Sequence, residues 1–373
     1  MDEGSISRRA TRLRRVGWAL FVAVALLRLA LCAQIPTQTN DVLRHGLYGL
    51  EVADKGLAVA DRPLGELSPY YEAVAFSWLP FNYPVLLLLF DVAVMAVWPS
   101  VFFFKLCLTL ADLAGAALLA RFTGSRAWGL FYWCLPSFVW WTSHEGQMDG
   151  LQNVPLLGAL ALIRIRPAVA WGLLALAVQC KAFAILAAPW MLWRTVRDRE
   201  AWPRTVGWAF LGGAVGSLPT LVGALSYSPI RNLLVSMPLR YNPYFWDVTF
   251  REMFGWNPTW LIVVDQVASY GWLVVLLTLL IRPWDGAGRD PALIAPVLLL
   301  ILVKASSQAQ FWYFLILPAL LTSVADPRRR RRLLLAVPLL DLGALVQLVA
   351  PFGYVADWPP ITAFALLTVV PPG

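Results

Sequence analysis

Charged residues are scarce in this sequence. Of its 373 residues, 14% are charged and 59% are hydrophobic, and the mean hydropathy is +0.65. Soluble domains usually carry about a quarter charged residues. Long apolar segments recur along nearly the whole chain, separated by short loops rich in arginine. The sequence therefore predicts an all-α polytopic membrane protein and excludes an ordinary soluble domain.

Paired cysteines are also missing. The four cysteines lie inside or beside apolar segments, and no two of them form a CxxC motif: Cys32, Cys107, Cys134 and Cys180. We interpret them as packing residues and predict neither a disulfide nor a metal site. Gly212 and Gly216 form a GxxxG pattern, which predicts a close approach between two helices.

The net charge of +8 does not indicate a nucleic-acid partner, because the arginines lie in short loops between apolar segments. About twelve spans are predicted, at residues 16–35, 101–121, 127–141, 150–164, 168–180, 182–194, 205–224, 258–282, 291–303, 311–325, 333–350 and 359–372. With a cytoplasmic N-terminus, these spans put the arginine clusters in the cytoplasm, as the positive-inside rule requires. The arginine-rich start resembles a signal peptide, but no small-residue cleavage site follows, so we predict a retained first span.

One apolar run does not fit the alternation of loops between the two sides of the membrane. If residues 84–98 crossed the membrane, nearly all later arginine clusters would lie outside. We predict that this run is a re-entrant or juxtamembrane helix, interrupted by Asp91. In the alternative, it spans the membrane and another short run does not.

A single domain, residues 1–373, is the resulting prediction. Its first span (16–35) leads into an outer loop with juxtamembrane helices (36–100), followed by a helical module (101–224). A second outer loop (225–257) precedes the C-terminal spans (258–373). The least apolar stretches, apart from the arginine loops, fall on the outer face, so we expect chemistry or binding there.

The segment after the first span predicts a short amphipathic helix at the membrane surface. Thr39 or Asn40 is a suitable N-cap, which places Asp41 in the first turn, where the helix dipole favours a carboxylate. Three leucines fall on one face at helical spacing: Leu43, Leu47 and Leu50. Asp41 has two interpretations, a catalytic base or a residue that only caps and charges a loop helix.

Four polar groups follow one another on the predicted outer side: Asp41 with the Asn-Tyr-Pro of 82–84, residues 141–151, residues 181–189 and residues 308–318. They supply an acidic residue in the first loop, a Gly-Gln-x-Asp sequence, a lysine before a proline and a late segment rich in glutamine and aromatics. In this order and orientation they resemble the GT-C superfamily of polyprenyl- or dolichyl-phosphate-hexose-dependent glycosyltransferases. The sequence departs from that pattern at Asn40, where a second acidic residue is frequent, and at Val85, where a second proline is frequent.

The resemblance implies a GT-C fold and an inverting hexosyltransferase that uses no metal and no cofactor, since the first loop has no Asp-x-Asp motif. The donor would be a polyprenyl-phosphate hexose, with mannose or glucose as the sugar. The acceptor would be a glycolipid or another lipid-linked or cell-envelope glycan. The enzyme would be an integral inner (plasma) membrane protein, in contact with membrane lipids and with its active site on the outer face.

Site residues follow from the resemblance and from the chemistry of the side chains. Asp41 is the predicted general base, with Asp149 as its main rival. The candidates for the donor phosphate are Lys181, Arg231, Arg240 and Lys304. The candidates for the sugar and the acceptor are His45, Tyr83, His144, Gln147, Asp149, Gln308 and Gln310. Each cation also has a simpler explanation as an interfacial anchor, and Lys105 is expected to snorkel.

Two other functions are open at this point. A flippase for lipid-linked sugars would need polar groups on both sides of the membrane, and no internal repeat of the kind common in transporters is evident. A noncatalytic assembly subunit could keep the fold without the chemistry, and the departure at Asn40 fits that possibility.

Overall fold

A computed structural model describes residues 3–36, 41–74, 77–197, 202–228, 231–232, 291–305, 311–349 and 364 of the chain. The α-helices of these residues are α1 (Glu3–Cys32), α2 (Asp41–Lys55), α3 (Leu64–Leu67), α4 (Val85–Val97), α5 (Val101–Thr123), α6 (Arg126–Trp133), α7 (Asn153–Leu162), α8 (Pro167–Cys180), α9 (Ala188–Arg197), α10 (Trp202–Gly216), α11 (Leu218–Gly223), α12 (Ile294–Ala305), α13 (Leu317–Leu321) and α14 (Pro327–Val349). Short 3-10 segments and one π-helical segment, Phe138–His144, connect them. The described residues include no strand, so the all-α prediction is confirmed.

Two helices in the described ranges are long and apolar enough to cross a membrane. They comprise Thr11–Cys32 of α1 and the whole of α5. Helices Val85–Val97 and Pro167–Cys180 are apolar but shorter. The arrangement of about twelve spans stays a prediction, and two of its spans, 258–282 and 359–372, lie outside the described residues apart from residue 364.

Several predicted spans are divided by breaks in the helix. The run 127–141 separates into α6 and the π-helical segment, with Pro136 between them. The run 205–224 separates into α10 and α11 at Ser217, two residues before Pro219. A proline has no amide hydrogen and its ring crowds the preceding turn, so an uninterrupted helix is disfavoured at both places.

Helix α4 corrects one detail of the sequence prediction. It continues through Asp91 without interruption, and that side chain is fully buried, with Oδ2 in a hydrogen bond with Nδ1 of His45 on α2. The helix is 13 residues long, or about 20 Å, whereas the hydrocarbon core of a membrane is about 30 Å thick. Helix α4 packs against α2, and both helices belong to the outer loop.

Hydrophobic contacts join the outer loop to the helical module. One cluster surrounds Tyr48, Phe81 and Tyr227, and a second joins α2, α4 and α5 through residues such as Val42 and Phe104. The main core lies among α5 to α9 and α12 to α14. The start of α2 is thereby fixed beside the end of the π-helical segment.

Helices α8 and α10 approach closely at the predicted GxxxG pattern. A Cβ atom on Gly212 would overlap the carbonyl oxygen of Ala168, and one on Gly216 would overlap the carbonyl oxygen of Gly172. The prediction of close helix packing is confirmed. The Gln179 amide joins the same contact by donating to the carbonyl oxygen of Gly216 at 2.5 Å.

Candidate functional site

Asp41 lies in the first turn of α2, as the sequence predicted. Its carboxylate is half-buried, and its Oδ2 accepts a hydrogen bond of 3.2 Å from Nε2 of Gln147. The predicted N-cap residues, Thr39 and Asn40, lie outside the described residues. Two predicted site residues that are 106 positions apart in the chain are thus in direct contact.

A second contact joins Asp149 and Lys181. Nζ of Lys181, at the end of α8, donates to Oδ2 of Asp149 at 3.1 Å. The side chain of Asp149 is 1% exposed and that of Lys181 is 13% exposed. Within the described part of the chain, Oδ1 of Asp149 has no hydrogen-bond partner. The carboxylate therefore retains acceptor capacity while it holds the ammonium in place.

The charges of Asp41 and Lys181 both act on Asp149. Burial raises the pKa of Asp149, the Lys181 ammonium lowers it, and the carboxylate of Asp41 raises it again, with a net rise. Burial alone would lower the pKa of Lys181, but the carboxylate of Asp149 raises it by more, so its pKa lies above the ordinary value. Lys181 is therefore a cation at neutral pH, and it is paired with the carboxylate of Asp149.

Two tyrosine rings complete the surroundings of the ammonium. Nζ of Lys181 lies 4.8 Å from the ring centroid of Tyr83 and 5.7 Å from that of Tyr313. Tyr313 also packs edge-on against Phe183, with 4.9 Å between the ring centroids. The sequence placed Tyr313 in the last polar group but did not select it, because the glutamines of that group were the more obvious polar side chains.

An apolar groove begins at Lys181. It encloses about 540 Å³ between the outer loop, α8 and α10. Its walls are mainly hydrophobic and include Trp171, Leu174 and Leu221, whereas Tyr83, Lys181 and Tyr313 line its polar end. The described lining is therefore largely apolar and includes one cation, Lys181, which suits a molecule with a hydrocarbon chain and an anionic group.

Lys105 fixes the loop that carries Gln147. Its Nζ donates to the carbonyl oxygens of Leu31 at 3.1 Å, Gln34 at 2.7 Å and His144 at 2.7 Å. The prediction that Lys105 snorkels is wrong, since the residue is 0% exposed. The end of α1 and the end of the π-helical segment each leave carbonyls without helical partners, and the ammonium satisfies three such carbonyls at once.

Gly146 brings the same loop against the start of α2. Its φ is +74°, and a Cβ atom there would lie 2.7 Å from Cβ of Val42, the neighbour of Asp41. Only glycine adopts this conformation without strain, and only glycine leaves room for the valine. This contact sets the position of Gln147 relative to Asp41.

Gly146→Ala is expected to destabilise the protein by about 1–3 kcal/mol more than Gly124→Ala does, because an overpacked contact adds to the backbone strain. Gly124 is the matched control, since its φ is +66° and a Cβ atom there would have open space around it. Thermal or denaturant unfolding of the purified variants measures the difference. Equal destabilisation by the two substitutions would show that the approach to Val42 is unimportant.

The two predicted histidines are buried. His45 is 0% exposed, its Nδ1 lies 2.7 Å from Oδ2 of Asp91, and its ring packs on Phe81 and Tyr83. His144 is 3% exposed and stacks on Trp140, and its Nδ1 lies 2.9 Å from Oε1 of Glu145. His45 thus packs against Tyr83 and helps to hold its ring in position. Direct sugar contact by either histidine stays a prediction.

The remaining candidates are only partly described. Arg231 is exposed, and the adjacent Asn232 donates to Oδ1 of Asp61 at 2.8 Å, which attaches this segment to the outer loop. Lys304 lies in the last turn of α12, and its side chain is outside the described part. Three candidates lie outside the described residues: Arg240, Gln308 and Gln310.

No protein-family model, no curated protein and no solved structure matches this chain. Its function is therefore inferred from the chemistry of the site itself.

Proposed function

We propose that this protein is an inverting membrane glycosyltransferase of the GT-C type, which moves a hexose from a polyprenyl-phosphate donor to a glycolipid or cell-envelope glycan. The observation that carries the proposal is a pair of neighbouring contacts, Gln147 with Asp41 and Lys181 with Asp149. The two carboxylates are close enough to interact electrostatically, and Lys181 also lines the apolar groove. These side chains come from the outer loop, the loop after the π-helical segment and the end of α8. Their charges match what transfer from a lipid phosphate requires.

Lys181 is the proposed ligand of the donor phosphate. When the bond between the anomeric carbon and the phosphate oxygen breaks, its electron pair stays on the phosphate, and a fixed cation stabilises the charge that develops there. Only one phosphate leaves, so a lysine suffices to neutralise it. The groove that starts at Lys181 would hold the first part of the polyprenyl chain.

Asp41 is the proposed general base. The acceptor hydroxyl attacks the anomeric carbon, a new carbon–oxygen bond forms, and the hydroxyl proton moves to the carboxylate. Asp41 suits this role better than Asp149, because it is half-buried and contacts a neutral amide, whereas Asp149 is fully buried and engaged with Lys181. Direct displacement inverts the anomeric carbon, so a β-linked donor gives an α-linked product.

The membrane location is part of the proposal. It is supported by the two long apolar helices, by the low charge content and by the arginines between apolar segments. We propose an inner-membrane protein of about twelve spans with a cytoplasmic N-terminus and the site on the outer face. The carboxylates and Lys181 would then meet a lipid-linked donor in the outer leaflet.

Lys181→Met is expected to weaken donor binding by about tenfold or more, since a charged hydrogen bond to the phosphate is lost. The assay uses purified full-length protein with synthetic polyprenyl-phosphate mannose, the glucose equivalent in parallel, and membrane lipid extract as the acceptor. Binding and hexose transfer are measured separately. Lys55→Met is the matched control, because this lysine is half-exposed on α2 and pairs with Glu51 away from the groove.

Lys181→Arg retains the charge and should recover part of the binding. Unchanged donor binding in Lys181→Met would contradict the assignment of the phosphate site. Donor binding without transfer or donor hydrolysis in the wild-type protein would favour a noncatalytic subunit. Absence of donor binding would contradict the proposed function as a whole.

A further inference from the structure

A second groove lies between α1, α5 and α6, away from the candidate site. It encloses about 810 Å³, and its walls are apolar except for Arg14 and Arg126. Trp18 lies at its edge and is 59% exposed. Neither arginine has an ion-pair partner among the described residues, and both are exposed. The function proposed above makes no use of this groove.

The two arginines lie at the same end of the groove. A Cβ atom on Gly17 of α1 would lie 3.6 Å from Leu130 of α6, and further along both helices Phe21 stacks on Trp133. The two helices therefore run in the same direction. Arg14 precedes Gly17, and Arg126 precedes Leu130, by about one turn each, so their guanidinium groups belong to the same end.

Arg121 belongs to this end as well. Helix α5 runs opposite to α6, because Gly129 contacts Ala116 and Ala120, whereas Tyr132, one turn later, contacts Gly115. Arg121 lies in the last turn of α5 and is exposed. Arg121 does not line the groove, so two cations, Arg14 and Arg126, lie at its mouth and a third is on the same side of the protein.

This mouth is remote from the candidate site. The other end of α1 contacts the site region, since Lys105 bonds to the carbonyl oxygens of both Leu31 and His144. From Arg14 to Cys32 the helix rises about 27 Å, which is close to the hydrocarbon thickness of a bilayer, about 30 Å. If the candidate site meets the outer leaflet, the arginines meet the inner one.

We propose that this groove binds one anionic glycerophospholipid of the cytoplasmic leaflet. Its phosphate would lie between Arg14 and Arg126, whose planar guanidinium groups bind phosphate oxygens in pairs, and one acyl chain would follow the apolar walls past Phe21. Trp18 would lie at the level of the headgroup. The inference requires a membrane-embedded α1, but it does not depend on glycosyltransferase activity.

The test measures the lipid that the full-length protein retains and prefers. Native mass spectrometry of protein in mild detergent would follow added phosphatidylglycerol and phosphatidylcholine, and thermal unfolding would report the stabilisation by each. Wild-type protein is expected to bind phosphatidylglycerol in preference. Each arginine near a membrane surface raises the affinity for an anionic lipid about fivefold. Arg14→Gln with Arg126→Gln should therefore weaken phosphatidylglycerol binding about 25-fold.

The matched control is Arg12→Gln with Arg166→Gln, which removes two exposed arginines that do not line the groove. A second variant, Gly17→Leu, would fill the groove and should lower retention of the lipid while Arg14 and Arg126 remain. The proposal fails if the control weakens binding as much as the Arg14 and Arg126 variant does. It also fails if phosphatidylcholine binds equally well, or if Gly17→Leu retains as much lipid as the wild type.

Discussion

Asp41→Asn is expected to lower hexose transfer by about 10²–10⁴-fold while donor binding stays close to that of the wild type. Asparagine has nearly the same shape, and its carbonyl oxygen can still accept the bond from Gln147. It cannot take a proton from the acceptor hydroxyl. Because the loss arises in the chemical step, it should appear in kcat with little change in KM.

The fold should tolerate this substitution. Asp41 favours the first turn of α2 through the helix dipole, which is worth about 0.3–1 kcal/mol for an exposed carboxylate. Asp54→Asn is the matched control, because Asp54 is an exposed carboxylate on the same helix. Thermal unfolding of both variants would separate a loss of catalysis from a loss of structure.

Asp149→Asn provides the comparison that assigns the base. We expect it to raise KM for the donor, because Lys181 loses the carboxylate that holds its ammonium. If instead Asp41→Asn keeps full activity and Asp149→Asn loses it in kcat, the base is Asp149. Wild-type activity in both variants would exclude these two carboxylates from proton transfer.

Much of the local structure around Asp41 could be predicted from the sequence. The place of Asp41 in the first turn of α2 followed from the capping residues, and the structure has it in that turn. The close packing at Gly212 followed from the GxxxG spacing. The first feature depends on residues near each other in the chain. The second joins two helices, but its signal is a pair of small residues four positions apart on one of them, so a local pattern again reveals it.

The convergence of the polar groups was only partly predictable. Charge alternation predicted one common face for Asp41, Gln147, Asp149 and Lys181, and the structure brings these side chains into two direct contacts. Their pairing could not be predicted, because it depends on how α2, α5 and α8 pack. Their catalytic roles stay predictions.

The burial of Lys105 was missed for a similar reason. A lysine near the end of an apolar helix is ordinarily explained by snorkelling, since its side chain is long enough to reach water. Here the ends of two helical segments, near Gln34 and His144, present carbonyl oxygens to it at 2.7 Å each. The sequence does not show which backbone carbonyl oxygens come close to a lysine in the folded protein. The buried position of Lys105 could therefore not be predicted.

Arg28 and Asp112 form another contact that the sequence interpretation did not select. Both side chains are 0% exposed, and Nη1 of Arg28 lies 3.0 Å from Oδ2 of Asp112 on α5. Nη2 also donates to the carbonyl oxygen of Trp133 at 3.0 Å, and the guanidinium lies 4.1 Å from the centroid of that indole. Opposite charges inside two apolar segments are a recognisable signal, because each is costly without a partner.

Arg28→Met is expected to destabilise the protein by about 3–5 kcal/mol, since it leaves the buried carboxylate of Asp112 without its cation. Replacing both residues, as in Arg28→Met with Asp112→Leu, should cost less than Arg28→Met alone, because no charge is left buried. Unfolding of the four proteins of this double-mutant cycle, in one detergent and at one pH, would give a coupling energy of about 0.5–3 kcal/mol.

Arg121→Met is the control for loss of an exposed arginine from α5, and surface pairs and charges of that kind contribute about 0–1 kcal/mol. If the changes in unfolding free energy of the two single variants add up to that of the double variant, the ion pair does not couple α1 to α5. The position of α1 relative to the site must then depend on Lys105 and apolar contacts instead.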